Sequence, residues 1–145
     1  MSTIDRIAEG YVPDFDIDAA VGEQGVLFVA TAMDAIHHGE SAEVKTDEAS
    51  WRTGNVYIEL ECWVSGQWVP SGVNRQAALW AHVVANGMVI FAPREQVKAV
   101  ALKYGQPREC KRGSHPTRGL ALPIPQFTAA LVRAVKASTT ESGNS

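Results

Sequence analysis

No stretch of this chain approaches the roughly 20 consecutive apolar residues a helix needs to cross a bilayer, so the sequence argues against a membrane anchor. Cysteine is scarce too, with Cys62 and Cys110 the only two. They lack the close spacing of a zinc site, and one pair makes no disulfide framework. Two free thiols in a reducing cytosol is the plain reading. Residues 1–16, MSTIDRIAEGYVPDFD, have neither a cationic start nor an apolar core and do not read as a secretory signal. A cytoplasmic protein is expected, in a host cytoplasm if the chain is phage-encoded. Internal repeats and low-complexity segments are missing as well.

What is present is enough apolar material for a core. With 145 residues, 46% of them hydrophobic, the chain is expected to form one domain over 1–145, with an irregular lead-in at 1–16 and a frayed tail at 138–145. The net charge of −3 hides an asymmetry. Residues 1–93 carry four basic residues against thirteen acidic ones, a net of −9, and residues 94–145 carry nine against three, a net of +6. A cation site beside a polyanion-binding surface would use such a distribution. A solvated dipolar surface with no ligand is the competing reading.

The densest chemistry lies in Glu43-Val44-Lys45-Thr46-Asp47 and in Asn55-Val56-Tyr57-Ile58-Glu59-Leu60-Glu61. Both alternate as strands do, so Glu43, Lys45 and Asp47 share one face, as do Tyr57, Glu59 and Glu61. If the two pieces pair as a hairpin across residues 48–54, four carboxylates and one lysine gather on one surface. Like charges placed opposite one another repel, and a divalent cation is the simplest reason to collect them.

Around this centre, the pattern Ile17, Ala20, Val21, Leu27, Phe28, Thr31, Ala35 predicts a helix from about Asp18 to Ile36, closed by His37-His38-Gly39. Glu23 lies in it, either as a site residue or as a solvated glutamate near a helix N-terminus. After the turn Ser65-Gly66-Gln67 comes a short return strand. Ser71-Gly72-Val73-Asn74 then leads into a second expected helix, Arg75 to about Ala85, with Asn74 as N-cap and Trp80 as a core anchor. Residues 88–92 (MVIFA) read as a buried strand. Pro93 opens a helix from Arg94 to Tyr104 with Val97, Val100 and Ala101 inward and Arg94, Lys98 and Lys103 outward. Gly105 to Arg118 is a loop by composition. Leu120 to Ile124 is a short strand, and Pro125 to Lys136 a terminal helix with Phe127, Leu131, Val132 and Val135 apolar.

Hard cations such as Mg²⁺ or Mn²⁺ take carboxylate and carbonyl oxygens, and they activate water and stabilise charge in phosphodiester hydrolysis. Asp47 and Glu59 can supply two ligands and the Leu60 carbonyl a third. Glu61 can ligate or hold a bound water, and Glu23 can join from the preceding helix. Lys45 can orient the nucleophile or neutralise developing charge. Its alternative is a salt bridge inside the charged face, to Glu43 or a neighbour.

The order of these pieces resembles the PD-(D/E)XK nuclease superfamily, most closely its small phage-encoded members. Their pattern of EVKxD, polar spacer, GNxxIE, short insert, then SGI and a helix with tryptophan is matched here by Glu43–Asp47, Gly54–Glu59, Ser71-Gly72-Val73 and Trp80. The resemblance covers about residues 20–124. It implies an α/β fold with a restriction-endonuclease-like αβββαβ core, a central mixed sheet flanked by helices. It also implies a divalent-metal site with Asp47 and Glu59 as ligands and Glu23 as accessory acid. The superfamily usually has lysine two residues after the second acid. Here Glu61 stands there, and Lys45, in phase with Asp47, is the candidate for that role.

The expected function is therefore metal-dependent hydrolysis of DNA, on branched or end-containing substrates, by a protein that can act as a homodimer. Arg108, Lys111, Arg112 and Arg118, with Lys98, are expected to contact phosphates without reading sequence. Ser71 either joins them or caps the turn after it. Two rivals stay open: a nucleic-acid-binding module of the same fold that no longer cuts, and an inhibitor that mimics DNA with its acidic face. The basic segment 94–136 counts against the second.

Overall fold

The architecture follows from where apolar residues alternate and where they run together. A computed structural model describes residues 27, 29, 30, 32–34, 37, 42–84, 87–111 and 113–143. The chain divides after residue 34 into two compact units. In the first part, the described residues 27, 29, 30 and 32–34 are helical, with Leu27, Val29 and Met33 exposed and Ala32 buried. The rest of the helix expected from Asp18, Glu23 included, lies outside the described residues, as do the lead-in, His38 and Gly39. His37 is described and helical.

The larger part is mixed α/β, with two sheets. Strands β1 (Ala42–Asp47), β4 (Leu79–Val84) and β5 (Val89–Pro93) form a mixed sheet in the order β1-β4-β5, β1 parallel and β5 antiparallel to β4. Strands β2 (Asn55–Val64), β3 (Gln67–Pro70), β6 (Gln106–Cys110) and β7 (Thr117–Pro123) form an antiparallel sheet in the order β3-β2-β7-β6. A short helix α1 (Ala49–Thr53) joins β1 to β2, and a 3-10 turn (Gly72–Asn74) follows β3. Helices α2 (Arg94–Tyr104) and α3 (Ile124–Gly143) complete this part. Among the described residues no helix is long and apolar enough to cross a membrane.

One core joins the antiparallel sheet to the two long helices. Val56 and Ile58 from β2 and Leu120 and Leu122 from β7 meet Val97, Val100 and Ala101 of α2 and Phe127, Ala130 and Leu131 of α3, with Val73 and Trp80 filling between. Each fully buried Val, Ile, Leu or Phe contributes about 1.5–3 kcal/mol over an exposed one. The inward residues expected of α2 are the observed ones, and so are Phe127 and Leu131. Val132 is exposed, and α3 continues past Lys136 to Gly143 instead of fraying at 138.

Four expectations are corrected. First, β1 and β2 are not a hairpin: β1 pairs with β4 and β2 with β3 and β7. Second, residues 79–84 (LWAHVV) are strand, not helix, because this aromatic and β-branched run fits the pleated surface beside β1. Asn74 therefore caps no long helix, and Gly87, with φ of 84°, sits in the β4–β5 connection. Third, 106–110 is a strand within the supposed loop, paired to β7 from Gln106↔Ala121 to Cys110↔Thr117. Fourth, Arg94 does not point outward. Its Nε donates to Ala77 O at 2.6 Å and its Nη1 to Val73 O at 2.7 Å, which clasps the connector before β4. Of the run 88–92 only Ala92 is buried, and β5 is an edge strand of its sheet.

Gly72 carries a tight constraint. Its φ is +56°, and a Cβ there would lie 2.3 Å from Glu59 O. Gly66 has φ of +83° with nothing within 4 Å. Gly72→Ala is expected to cost about 2–4 kcal/mol, the sum of overpacking and left-handed strain, against about 1 kcal/mol for Gly66→Ala. Urea denaturation of both variants checks this, and equal losses would mean the close approach to Glu59 is unimportant.

Candidate functional site

Asp47 ends β1 and is only 8% exposed. Its backbone carbonyl accepts a 2.8 Å hydrogen bond from Ser50 Oγ, which starts the turn into α1. Gly54, left-handed at φ 73°, closes that helix by donating to Ser50 O at 2.7 Å. The turned chain enters β2 so that Tyr57 N–H donates to Asp47 Oδ2 at 2.8 Å. The same oxygen lies 2.9 Å from Nε2 of His82, which is fully buried on β4. The Ser50 backbone N–H also hydrogen-bonds this carboxyl, from the turn into α1. Burial pushes the Asp47 carboxyl up, but the hydrogen bonds from His82 and Tyr57 N outweigh it and hold the group below its ordinary value.

Glu59 and Lys45 meet across the two sheets. Lys45 Nζ is 3.4 Å from Glu59 Oε1, with the side chains 33% and 14% exposed. The expected salt-bridge alternative for Lys45 is thus realised, with Glu59 and not Glu43 as partner.

Glu61 does not join them. The β2–β7 register shifts between Glu59, opposite Gly119, and Glu61, opposite Arg118. Gly119 and Arg118 are adjacent on β7 and point to opposite faces, so this bulge turns Glu61 away from Glu59. Glu61 Oε2 instead lies 3.6 Å from Arg118 Nη1. The bulged residue, Leu60, has its carbonyl occupied by Ser71 N–H at 2.9 Å and Asn74 Nδ2 at 3.0 Å. Of the four acids expected on one surface, Asp47 and Glu59 share the site.

A cleft of about 720 Å³ opens at this point, lined by Lys45, Asp47, Tyr57, Glu59, Arg108 and Lys111 among others. Tyr57 OH is 2.9 Å from Thr117 Oγ1 on the cleft wall. Burial raises the phenol above its ordinary value, helped by the nearby Cys110 thiol and the Glu59 carboxylate and opposed by the Thr117 hydrogen bond. Cys62 and Cys110 are free thiols on β2 and β6.

The other expected residues scatter. Arg118 is engaged with Glu61 and with Glu109, and its guanidinium lies 3.8 Å over the Trp68 ring. Lys98 lies on α2, away from the cleft lining. Ser71 is 1% exposed and its hydroxyl has no partner, so it neither caps the 3-10 turn nor reaches a phosphate on the surface. Arg112 and Glu23 lie outside the described residues. Among the described residues no group of three or more His, Cys, Asp or Glu side chains could hold a metal ion. The sequence reading missed His82 and Tyr57 as neighbours of Asp47. The available signal was the Trp80–His82 spacing of two, which puts both on one face once the segment is a strand.

No family model, curated protein or solved structure matches this chain.

Asp47 makes a pH prediction. Its carboxyl is depressed in the folded state, so its contribution to stability is present above the unfolded value of about 3.9 and is lost as pH falls through the lower folded value. Asp47→Asn is expected to cost about 1.5–3 kcal/mol at pH 7, as hydrogen bonds to a charged acceptor do. The gap between the two proteins should narrow as pH drops below 4 or so. Urea unfolding from pH 7 to 2.5 measures it, and a gap that stays constant would show that Asp47 is not held as a stabilised carboxylate.

Proposed function

We propose that the cleft binds DNA and hydrolyses its phosphodiester bonds with Mg²⁺ or Mn²⁺, in the manner of the restriction-endonuclease-like nucleases. The observation that carries this reading is the meeting of Lys45, Asp47 and Glu59, from different sheets, on one cleft that also bears Arg108 and Lys111. Two carboxylates suit a hard cation, since Mg²⁺ commonly takes one or two carboxylates and completes its shell with water and phosphate oxygens. Asp47 and Glu59 would hold it. When bound, such a cation lowers the pKa of water and stabilises charge on the phosphoryl group. Lys45 stands beside Glu59 as a cation for the charge that develops in the transition state. Arg108 and Lys111 hold the backbone without reading sequence.

A second reading has an observation of its own. Glu59 already has an ion-pair partner in Lys45, and Glu61 is turned to the other face. Such a cleft serves a module that grips nucleic acid without cutting it.

End-labelled linear, single-stranded and branched DNA, incubated with the purified protein and Mg²⁺ or Mn²⁺, separates the two. Hydrolysis is expected, with no product from Asp47→Ala or Glu59→Ala and a loss of about 10²-fold in Lys45→Ala, the scale of one removed electrostatic stabiliser. Retarded migration without product under either metal would establish the binding module instead. Unchanged turnover in Lys45→Ala would remove lysine from the mechanism.

A further inference from the structure

Behind Asp47 lie two side chains that the proposed chemistry does not use. Trp80 and His82 are both fully buried on β4. Trp80 Nε1 lies 3.2 Å from His82 Nδ1. An indole N–H can only donate, so Nδ1 must accept. The ring proton of the neutral imidazole is then on Nε2, which donates to Asp47 Oδ2 at 2.9 Å. In the opposite tautomer, two donors would face each other at the indole and a lone pair would face the carboxylate. The ring is also confined. Its centroid is 6.2 Å from that of Trp80, with the planes 22° apart, and 6.2 Å from that of Phe127, edge on. Turning the ring over would replace both nitrogen contacts with carbon.

We propose that Trp80 and His82 act as a buried tautomer lock, which holds Asp47 through Oδ2 and so orients its carboxylate toward a divalent cation in the cleft. The proposal rests on the reading of Asp47 as a cation ligand. Trp80 and His82 are positioning residues, since neither lines the cleft. Tyr57 N–H fixes the same Oδ2 from the other sheet at 2.8 Å, so the carboxylate is held from two directions. Partners that orient a ligand in this way set metal affinity without touching the metal. A group that only filled space at position 82 could be replaced by leucine; a donor to Oδ2 could not. Glutamine, whose amide nitrogen stands about where Nε2 does, should substitute for it.

The test uses the full chain and Mn²⁺ alone as probe. Calorimetric affinities are compared for wild type, Asp47→Ala, His82→Gln, His82→Leu and Trp80→Phe, with circular dichroism as the check on folding. Imidazole ¹⁵N spectra give the tautomer. Wild type should show His82 as the Nε2–H form only. His82→Gln should bind Mn²⁺ within about threefold of wild type, and folded His82→Leu about 10-fold or more weaker, the range of lost orienting partners. Trp80→Phe should fall between them, with the Nε2–H form still favoured by Asp47 but no longer the only one. If Asp47→Ala weakens binding while folded His82→Leu binds like wild type, the positioning role is overturned and the cation site stands. If Asp47→Ala binds like wild type, or wild type binds no Mn²⁺, the site itself fails and the lock with it. Should His82→Leu not fold, Trp80→Phe decides: unchanged tautomer and unchanged affinity overturn the proposal.

Discussion

One carboxylate oxygen, Oδ2 of Asp47, receives a donor from each of two sheets that share no strand ladder. His82 reaches it from the β1-β4-β5 sheet and Tyr57 N–H from the β3-β2-β7-β6 sheet. Burying a carboxylate is unfavourable unless its hydrogen bonds are made. Here they are, and the depressed pKa of the group says that the bonds win over desolvation. The consequence is geometric as well as energetic. Lys45, two residues before Asp47, and Glu59, two residues after Tyr57, are brought within 3.4 Å because the strands carrying them are joined at that oxygen. The residue that would hold a cation is thus also the residue that aligns the two walls of its cleft.

A second constraint decides which acids take part. Where the β2–β7 register shifts, the Leu60 carbonyl accepts from Ser71 N–H and the Asn74 amide. Gly72 permits this because it has no Cβ to meet Glu59 O. The bulge separates Glu59 from Glu61 by a face. The cleft therefore has fewer like charges to hold apart, and Glu61 finds a counter-ion in Arg118. A metal is not needed to explain why those acids are close, because most of them are not. The case for a cation narrows to Asp47 and Glu59, and it rests on the chemistry of that pair.

Much of this was legible in the sequence, and what was not has identifiable reasons. Alternation located β1 and β2, and a run of period 3.6 gave α2 with its inward residues. Asp47, Glu59 and Lys45 were selected by chemistry and are neighbours in space. Pairing was not legible. Adjacency in sequence suggested a hairpin, whereas α1 reverses the chain and leaves β1 to a parallel partner more than thirty residues on. That partner was misread because LWAHVV, flanked by alanines, fits helix and strand alike. Strand β6 was hidden by proline and charge in an edge position, where both are common. The bulge coincides with contacts from residues 71–74 to Leu60, which no local pattern around Leu60 encodes.

The charge asymmetry shows the same limit from the other side. A net of +6 over residues 94–145 invites a broad anion-binding surface. Arg94, however, is spent on two backbone carbonyls and Glu95, and Arg118 on Glu61, Glu109 and the Trp68 ring. Among the described residues, the cations that line the cleft are Lys45, Arg108 and Lys111. They stand among Asp47, Glu48, Glu59 and Glu109 on the same walls. Such a mixed wall has little long-range attraction for a polyanion, because its fields cancel beyond about a Debye length. A polyanion bound there would be held through a few phosphates seated close to Arg108 and Lys111. A divalent cation at Asp47 and Glu59 would change that balance by neutralising the acids nearest the phosphate, and on the proposed reading cation and polyanion binding at this cleft would support one another.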